Sequence, residues 1–101
     1  MKTITVDGVD YAPVTPENAP VRIVILQRGW VVVGYWQRDG EDVTITRAKV
    51  IRKWGTTAGL GELVSGPTDD TVLDPAGTVR AHILGVVASI DVDVDAWSGV
   101  L

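Results

Sequence analysis

The stretch Val21-Arg-Ile-Val-Ile-Leu-Gln-Arg-Gly-Trp30-Val-Val-Val-Gly-Tyr-Trp-Gln37-Arg-Asp-Gly-Glu41-Asp-Val-Thr-Ile-Thr46 decides the fold. Val21 to Gln27 is short and β-branched, which suits a buried strand, and Arg28-Gly29 can turn it into Trp30 to Gln37. The second segment has no clean polar side, so both of its faces must be covered, by a second layer of this chain or by another subunit. Arg38-Asp39-Gly40-Glu41 is a turn, after which Val43 and Ile45 alternate with Thr44 and Thr46 as a half-buried strand requires. Three antiparallel strands in close succession make the chain mainly β: a small antiparallel sheet or partly open barrel with one short helix.

On the N-terminal side, Thr3 to Val6 and Val9 to Tyr11 flank Asp7-Gly8, a pair that favours a type I′ hairpin. Ala12-Pro-Val-Thr-Pro-Glu-Asn-Ala-Pro20 follows, and its prolines suit an arm or linker better than a sheet. The chain therefore divides into a hairpin with a Pro-rich arm, residues 1–20, and a compact β-rich domain, residues 21–101.

On the C-terminal side, Arg47, Lys49, Ile51 and Lys53 alternate with Ala48, Val50, Arg52 and Trp54, the pattern of a strand with a charged outer face. Gly55-Thr56-Thr57 breaks it. Thr57 is placed to N-cap a helix from Ala58 to Ser65, with Leu60, Leu63 and Val64 on one side and Gly66-Pro67 as its stop. Thr68 to Gly77 reads as a polar loop around a brief extended piece at Thr71 to Leu73. Thr78 to Leu84 and Val86 to Ile90 are two strands, or one strand bent at Gly85. Asp91 to Asp95 alternates strictly, which would place Val92 and Val94 inward, and Trp97 follows.

A chain of 101 residues holds one domain, and at this size only about 60–65% of its surface can be buried on folding. Apolar residues make up 46% of it, enough for a core and an interface, so a homo-oligomer is expected. Cysteine is absent, which removes disulfides, thiolate nucleophiles and Cys-based zinc sites. No secretory segment or bilayer-length apolar run is evident, so a cytoplasmic protein without a membrane partner is expected. Net charge is −4, yet the stretch from Val21 to Trp54 holds seven of the nine basic residues against three acids. Broad binding to nucleic acid needs a sustained basic face and is not expected. A local anion site is compatible with this distribution.

The catalytic inventory is thin. His82 is the single histidine and sits in an apolar segment as a half-buried strand residue, and no G-x-S-x-G context supports a triad with Ser65, Ser89 or Ser98. Asp91, Asp93 and Asp95 begin like a calcium loop, but Ala96 stands where the turn glycine belongs. They read as a solvated strand face, and a metal phosphodiesterase built on Asp91 and Asp93 would lack nitrogen or sulfur ligands beyond His82. Gly55, Gly59 and Gly61 fit neither G-x-x-x-x-G-K-[ST] nor G-x-G-x-x-G, and no cofactor is implied. What remains is an anion cradle. Free N–H groups around Thr56 and Thr57 carry positive partial charge, Arg28, Arg47, Arg52 and Lys53 supply phosphate partners, and Trp30, Trp36 or Trp54 offers a stacking face. The competing reading puts the tryptophans in the core and the basic residues on a solvated sheet face.

Gly34, Val43-Thr44-Ile45, Ala48 with Ile51 and Trp54, Leu60 with Leu63, and the closing Val94-Asp-Ala-Trp97 resemble the motifs of a small family of unknown function encoded mainly by tailed phages and prophages. The similarity runs from Val21 to Trp97. It departs at Gly55-Thr56-Thr57, where relatives often carry Asp-Gly-Ala, and in a shorter C-terminal segment. The resemblance implies a viral accessory protein of the oligomeric, non-enzymatic kind that sequesters a small nucleotide-derived signal of host immunity, in the host cytoplasm. A structural role, with the Pro-rich arm and apolar strands assembling on virion components or a host protein, is the alternative.

Overall fold

The computed structural model describes residues 4–6, 9–11 and 19–101. Strands β1 (Ile4–Val6) and β2 (Val9–Tyr11) pair antiparallel, with Ile4 opposite Tyr11 and Val6 opposite Val9. The type I′ turn expected at Asp7-Gly8 and the Pro-rich segment of residues 12–18 lie outside the described residues. Five further strands, β3 (Val21–Leu26), β4 (Trp30–Asp39), β5 (Asp42–Lys53), β6 (Val72–His82) and β7 (Val86–Asp91), form one antiparallel sheet in the order β6-β5-β4-β3-β7. Helix α1 (Val94–Ser98) follows. The main expectation, a small antiparallel sheet, holds. β6 and β7 do not pair with each other, so the sheet is not closed into a barrel.

β6 and β7 are consecutive in the chain yet occupy opposite edges, joined only by the 3₁₀ turn Ile83–Gly85. That turn is bound at two places. The Ile83 N–H donates to the Glu41 carbonyl at 2.7 Å, and Gln27 Nε2 donates to the Leu84 carbonyl at 3.2 Å. Glu41 lies just past the end of β4 and Gln27 just before its start, so one short connector touches both hairpin turns. A flat sheet would hold them roughly 30 Å apart at about 3.3 Å per residue, so β4 and its neighbours must curl.

The curl is centred on Gly34. Tyr35 is opposite Thr46 and Val33 is opposite Lys49, which leaves one extra residue on β5. Arg47 has a left-handed φ of 52° within that excursion. A Cβ on Gly34 would lie 2.6 Å from Ile45 Cγ2 and 3.0 Å from the Thr46 carbonyl oxygen. Glycine thus lets the two backbones close on each other, and the bulge adds local twist. It also reverses the alternation of β5, since Val43 and Ile45 share an apolar cluster with Ala48 and Val50.

The curled sheet carries a core on each face. On one side Val21, Ile23, Val31, Val33, Tyr35 and Ile51 are sealed by Leu63 of the 3₁₀ helix Leu60–Ser65 and by Trp97 of α1. Trp97 is fully buried, and its Nε1–H donates to the Leu63 carbonyl at 2.8 Å, so the indole is buried with its polar atom satisfied. On the other side Val24, Val32, Val43, Ile45 and Ala48 form the inner cluster. Both faces of β4 are therefore covered, as expected, by layers of this chain itself.

Four local readings need correction. Residues 58–65 do not form a helix capped by Thr57; the 3₁₀ helix starts at Leu60 behind Gly59, with no side-chain cap. At three residues per turn Leu60 and Leu63 share a side and Val64 turns outward. Val72 and Leu73 are extended as expected, but residues 74–77 continue β6 and are not a loop, because Pro75 lies on an edge strand where a missing N–H is tolerated. Val94 does not point inward along a strand: β7 ends at Asp91, and the Asp93 carboxylate accepts the Asp95 N–H at 3.0 Å and caps α1. His82 ends β6 exposed rather than half-buried, with Nδ1 accepting the Leu84 N–H at 3.0 Å and Nε2 lying 3.3 Å from Glu41. Among the described residues no helix is long and apolar enough to cross a membrane.

Gly34→Ala tests the curl. Overpacking at this contact is expected to cost about 1–3 kcal/mol, or a fall in melting temperature of roughly 4–8 °C per kcal/mol for a domain of this size. An unchanged melting curve would show that the backbones need not approach so closely.

Candidate functional site

Because the sheet curls and its edges stay unpaired, an apolar groove of about 380 Å³ opens on the concave face. Leu26 and Gln27 come to it from the end of β3, Trp30 and Val32 from β4, Val50 from β5, Ala76, Val79 and Ala81 from β6, and Gly85 from the connecting turn. Trp30 is 58% exposed, which for so large an apolar ring marks a surface kept open. Gln27 is the one side chain of this lining with a hydrogen-bond acceptor, Trp30 carrying only its indole N–H donor. Gln27 Nε2 is committed to Leu84, which leaves its Oε1 as an acceptor at the groove.

Val32 is opposite Val50, and Val50 is opposite Asp74, so these residues share a face. Two residues before Val32, strand alternation puts Trp30 on that same face, and the bond of Arg52 to Asp74 brings Arg52 to it across the register shift between Ile51 and Lys53. Arg52 Nε donates to Asp74 Oδ2 at 2.8 Å, with 66% of the Arg52 side chain exposed. An exposed ion pair of this kind adds little stability, yet it restrains the guanidinium beside the Trp30 end of the groove. Arg28 lies in the turn immediately before Trp30, with a left-handed φ of 68°.

The other sequence candidates are not gathered there. Arg47 sits in the mid-strand bulge beside Gly34, exposed. Lys53, next to Arg52, is exposed just past a register shift, opposite Val72. Trp54 is 43% exposed, and its carbonyl accepts the Thr71 hydroxyl at 2.6 Å. Thr68 Oγ1 donates to the Gly55 carbonyl at 2.7 Å, and the Thr68 N–H donates to Thr71 Oγ1 at 2.8 Å. Gly55 itself has φ 67°, and a Cβ there would collide with the Asp70–Thr71 peptide. The glycine that looked like part of a ligand loop is needed for this internal clasp.

Two of the N–H groups expected to be free, those of Thr57 and Ala58, have an acceptor within the chain. Glu62 Oε2 accepts the Thr57 N–H at 3.1 Å and the Ala58 N–H at 2.8 Å. The chain supplies its own anion to the cradle, and Thr56 and Thr57 belong to a structural loop on the far side of that carboxylate. The sequence signal was Glu62 itself, an acid a few residues beyond the amides it reaches. The groove lining was harder to see, although Val79 and Ala81 alternate with Arg80 and His82 as an inward-facing strand would.

Among the described residues no group of three or more His, Asp or Glu side chains is placed to hold a metal ion. In comparison with known proteins the chain matches no family model and no curated sequence. The fold and the groove define a small, strongly curled antiparallel-sheet protein with an open apolar site. Several of the residues behind the phage-family resemblance serve packing: Gly34 at the bend, Val43, Ile45 and Ala48 in the inner core, and Ile51, Leu63 and Trp97 in the outer core. They carry a way of folding and bring no ligand with them.

Glu62→Ala should leave two amides without their acceptor and lower stability by about 1–2 kcal/mol, measured by urea denaturation with an unchanged m-value. A loss below the error of that measurement would mean that water replaces the carboxylate without penalty.

Proposed function

We propose that this protein acts by binding rather than by turnover, and that its ligand is a flat, largely apolar group with an anionic substituent, seated in the groove against Trp30. The observation that carries the reading is the exposed Trp30 ring in the wall of an apolar groove whose lining residue Val50 is opposite Asp74, the partner that restrains the Arg52 guanidinium. A site of this size with mostly apolar walls and a few directed polar groups suits a small molecule. A nucleotide-derived ligand belongs to that class: the base lies on Trp30, one ring N–H donates to Gln27 Oε1, and the phosphate meets Arg52 and Arg28. Residues 56–57 have no part in it, since their loop is closed by Glu62. With the phage-family resemblance, the role is that of an accessory protein that holds such a molecule away from a host receptor in the cytoplasm.

An assembly role is the second reading, favoured by one observation. Leu84 is 77% exposed and Val87 is 66% exposed, beside the groove but outside its lining.

Thermal unfolding against mononucleotides, cyclic dinucleotides and ADP-ribose, with recovered ligands weighed by mass spectrometry, tests the first reading. An intact ligand should raise the melting temperature. Trp30→Ala should weaken it about 5- to 150-fold, the equivalent of the roughly 1–3 kcal/mol that stacking contributes, and Arg52→Ala should weaken anionic ligands more than neutral analogues. Binding that survives Trp30→Ala would remove the groove as the site, and a chemically altered ligand would make the protein an enzyme.

A further inference from the structure

The two open edges of the sheet are built differently. β6 has Pro75, which lacks an N–H, then Gly77 with φ 70° among successive register shifts, then Arg80 and His82. These are the devices by which proteins keep an edge from pairing with another chain. β7 has almost none of them. From Ile83 to Ile90 the sequence Ile-Leu-Gly-Val-Val-Ala-Ser-Ile holds no charge and no proline. Ala88 and Ser89 are exposed, as are Leu84 and Val87. One bulge interrupts the register, where Ile25 is opposite Ala88 and Leu26 is opposite Val86; it turns Val87 outward and leaves Ala88 to Asp91 regularly paired with β3.

We infer that the free edge of β7 pairs antiparallel with β7 of a second copy of this chain, about a two-fold axis near Ala88. A two-fold pair requires a segment that is complementary to itself. An uncharged strand meets that requirement, and its one charged end, Asp91, is already paired with Arg22 of its own chain at 3.0 Å. With Ala88 at the centre, Asp91 of one copy comes beside Gly85 of the other, next to the turn that carries Arg28. The two Asp91 carboxylates stand at opposite ends of the pair, roughly 20 Å apart at about 3.3 Å per residue, well beyond a Debye length of about 8 Å. Val87 of each copy then faces the neighbourhood of Ser89 in the other and leaves water. The dimer joins two sheets into one continuous sheet and meets the groove lining only at Gly85, away from Trp30 and Gln27, so it stands independently of the ligand reading.

Sedimentation equilibrium over the micromolar range, with hydrogen exchange on the same samples, tests the inference on the full chain. The wild type should pass from monomer to dimer as concentration rises, and protection should increase at the amides of Val86 to Asp91 and not along β6. Val87→Lys, at a position already exposed, should raise the dimer dissociation constant about tenfold or more with unchanged circular dichroism. Ala88→Lys gives the same reading should the first variant misfold. A wild type that stays monomeric, a dimer that survives either folded variant, or added protection elsewhere than β7 would overturn it.

Discussion

The contact on which the rest depends is the approach of Gly34 to the backbone of β5 at Ile45, Thr46 and Ala48. With a side chain there, β4 and β5 would separate by the width of a methyl group, and the sheet would straighten. The extra residue at Arg47 works with the glycine, because a bulge turns one strand about the other without breaking the ladder on either side. Once the sheet is curled, three residues suffice to carry the chain from β6 to β7. The Ile83–Gly85 turn then binds the two hairpin turns to each other. The groove exists because the edges are brought near and never joined.

Curling also explains how so short a chain supports two apolar clusters. The concave side needs only modest side chains, and it has them in Val24, Val32, Val43, Ile45 and Ala48. The convex side would be left bare, and the chain covers it with a 3₁₀ helix and a five-residue α-helix. Neither would persist alone, since helices of this length are unstable in water. The indole of Trp97, buried and hydrogen-bonded to the Leu63 carbonyl, ties the two pieces to each other and to the sheet. Asp93 and its N–H bond to the Val64 carbonyl at 2.9 Å complete that junction.

Strand identity was legible wherever apolar and β-branched residues ran between turn signals, as in β3, β4, the first half of β5 and β7. What escaped reading depended on long-range geometry. The bulge at Arg47 inverts the faces of the residues that follow it as far as Ile51, so Ala48 and Val50 join Val43 and Ile45, and Ile51 crosses to the outer core. Local alternation has no means of registering an extra residue. Pro75 and Gly77 look like loop residues because their tolerance comes from edge position, which only the strand order reveals. Asp93 was hidden by a period of two that suited a strand equally well. Of the groove lining only Trp30 was among the named candidates, whereas Gln27, Val50, Val79 and Ala81 were seen only as strand residues.

The fate of the Gly55–Ala58 loop shows why basic residues and glycines are poor guides to an anion site by themselves. The Thr57 and Ala58 amides are exposed and could be satisfied by water, yet the chain gives them a carboxylate of its own. Here the acceptor is Glu62, five residues beyond Thr57 and tethered to it by the chain. A tethered carboxylate acts at an effective concentration on the order of millimolar or more, so an external phosphate would have to displace it and then endure its repulsion. Asp74 is likewise a carboxylate on Arg52, but it takes one hydrogen bond and leaves much of the guanidinium in water. Arginine has five N–H donors, and one hydrogen bond to a carboxylate leaves others for a ligand. The same acid–base pairing therefore closes one region of this protein to anions and orients another toward them, and the difference lies in whether the donor has capacity left.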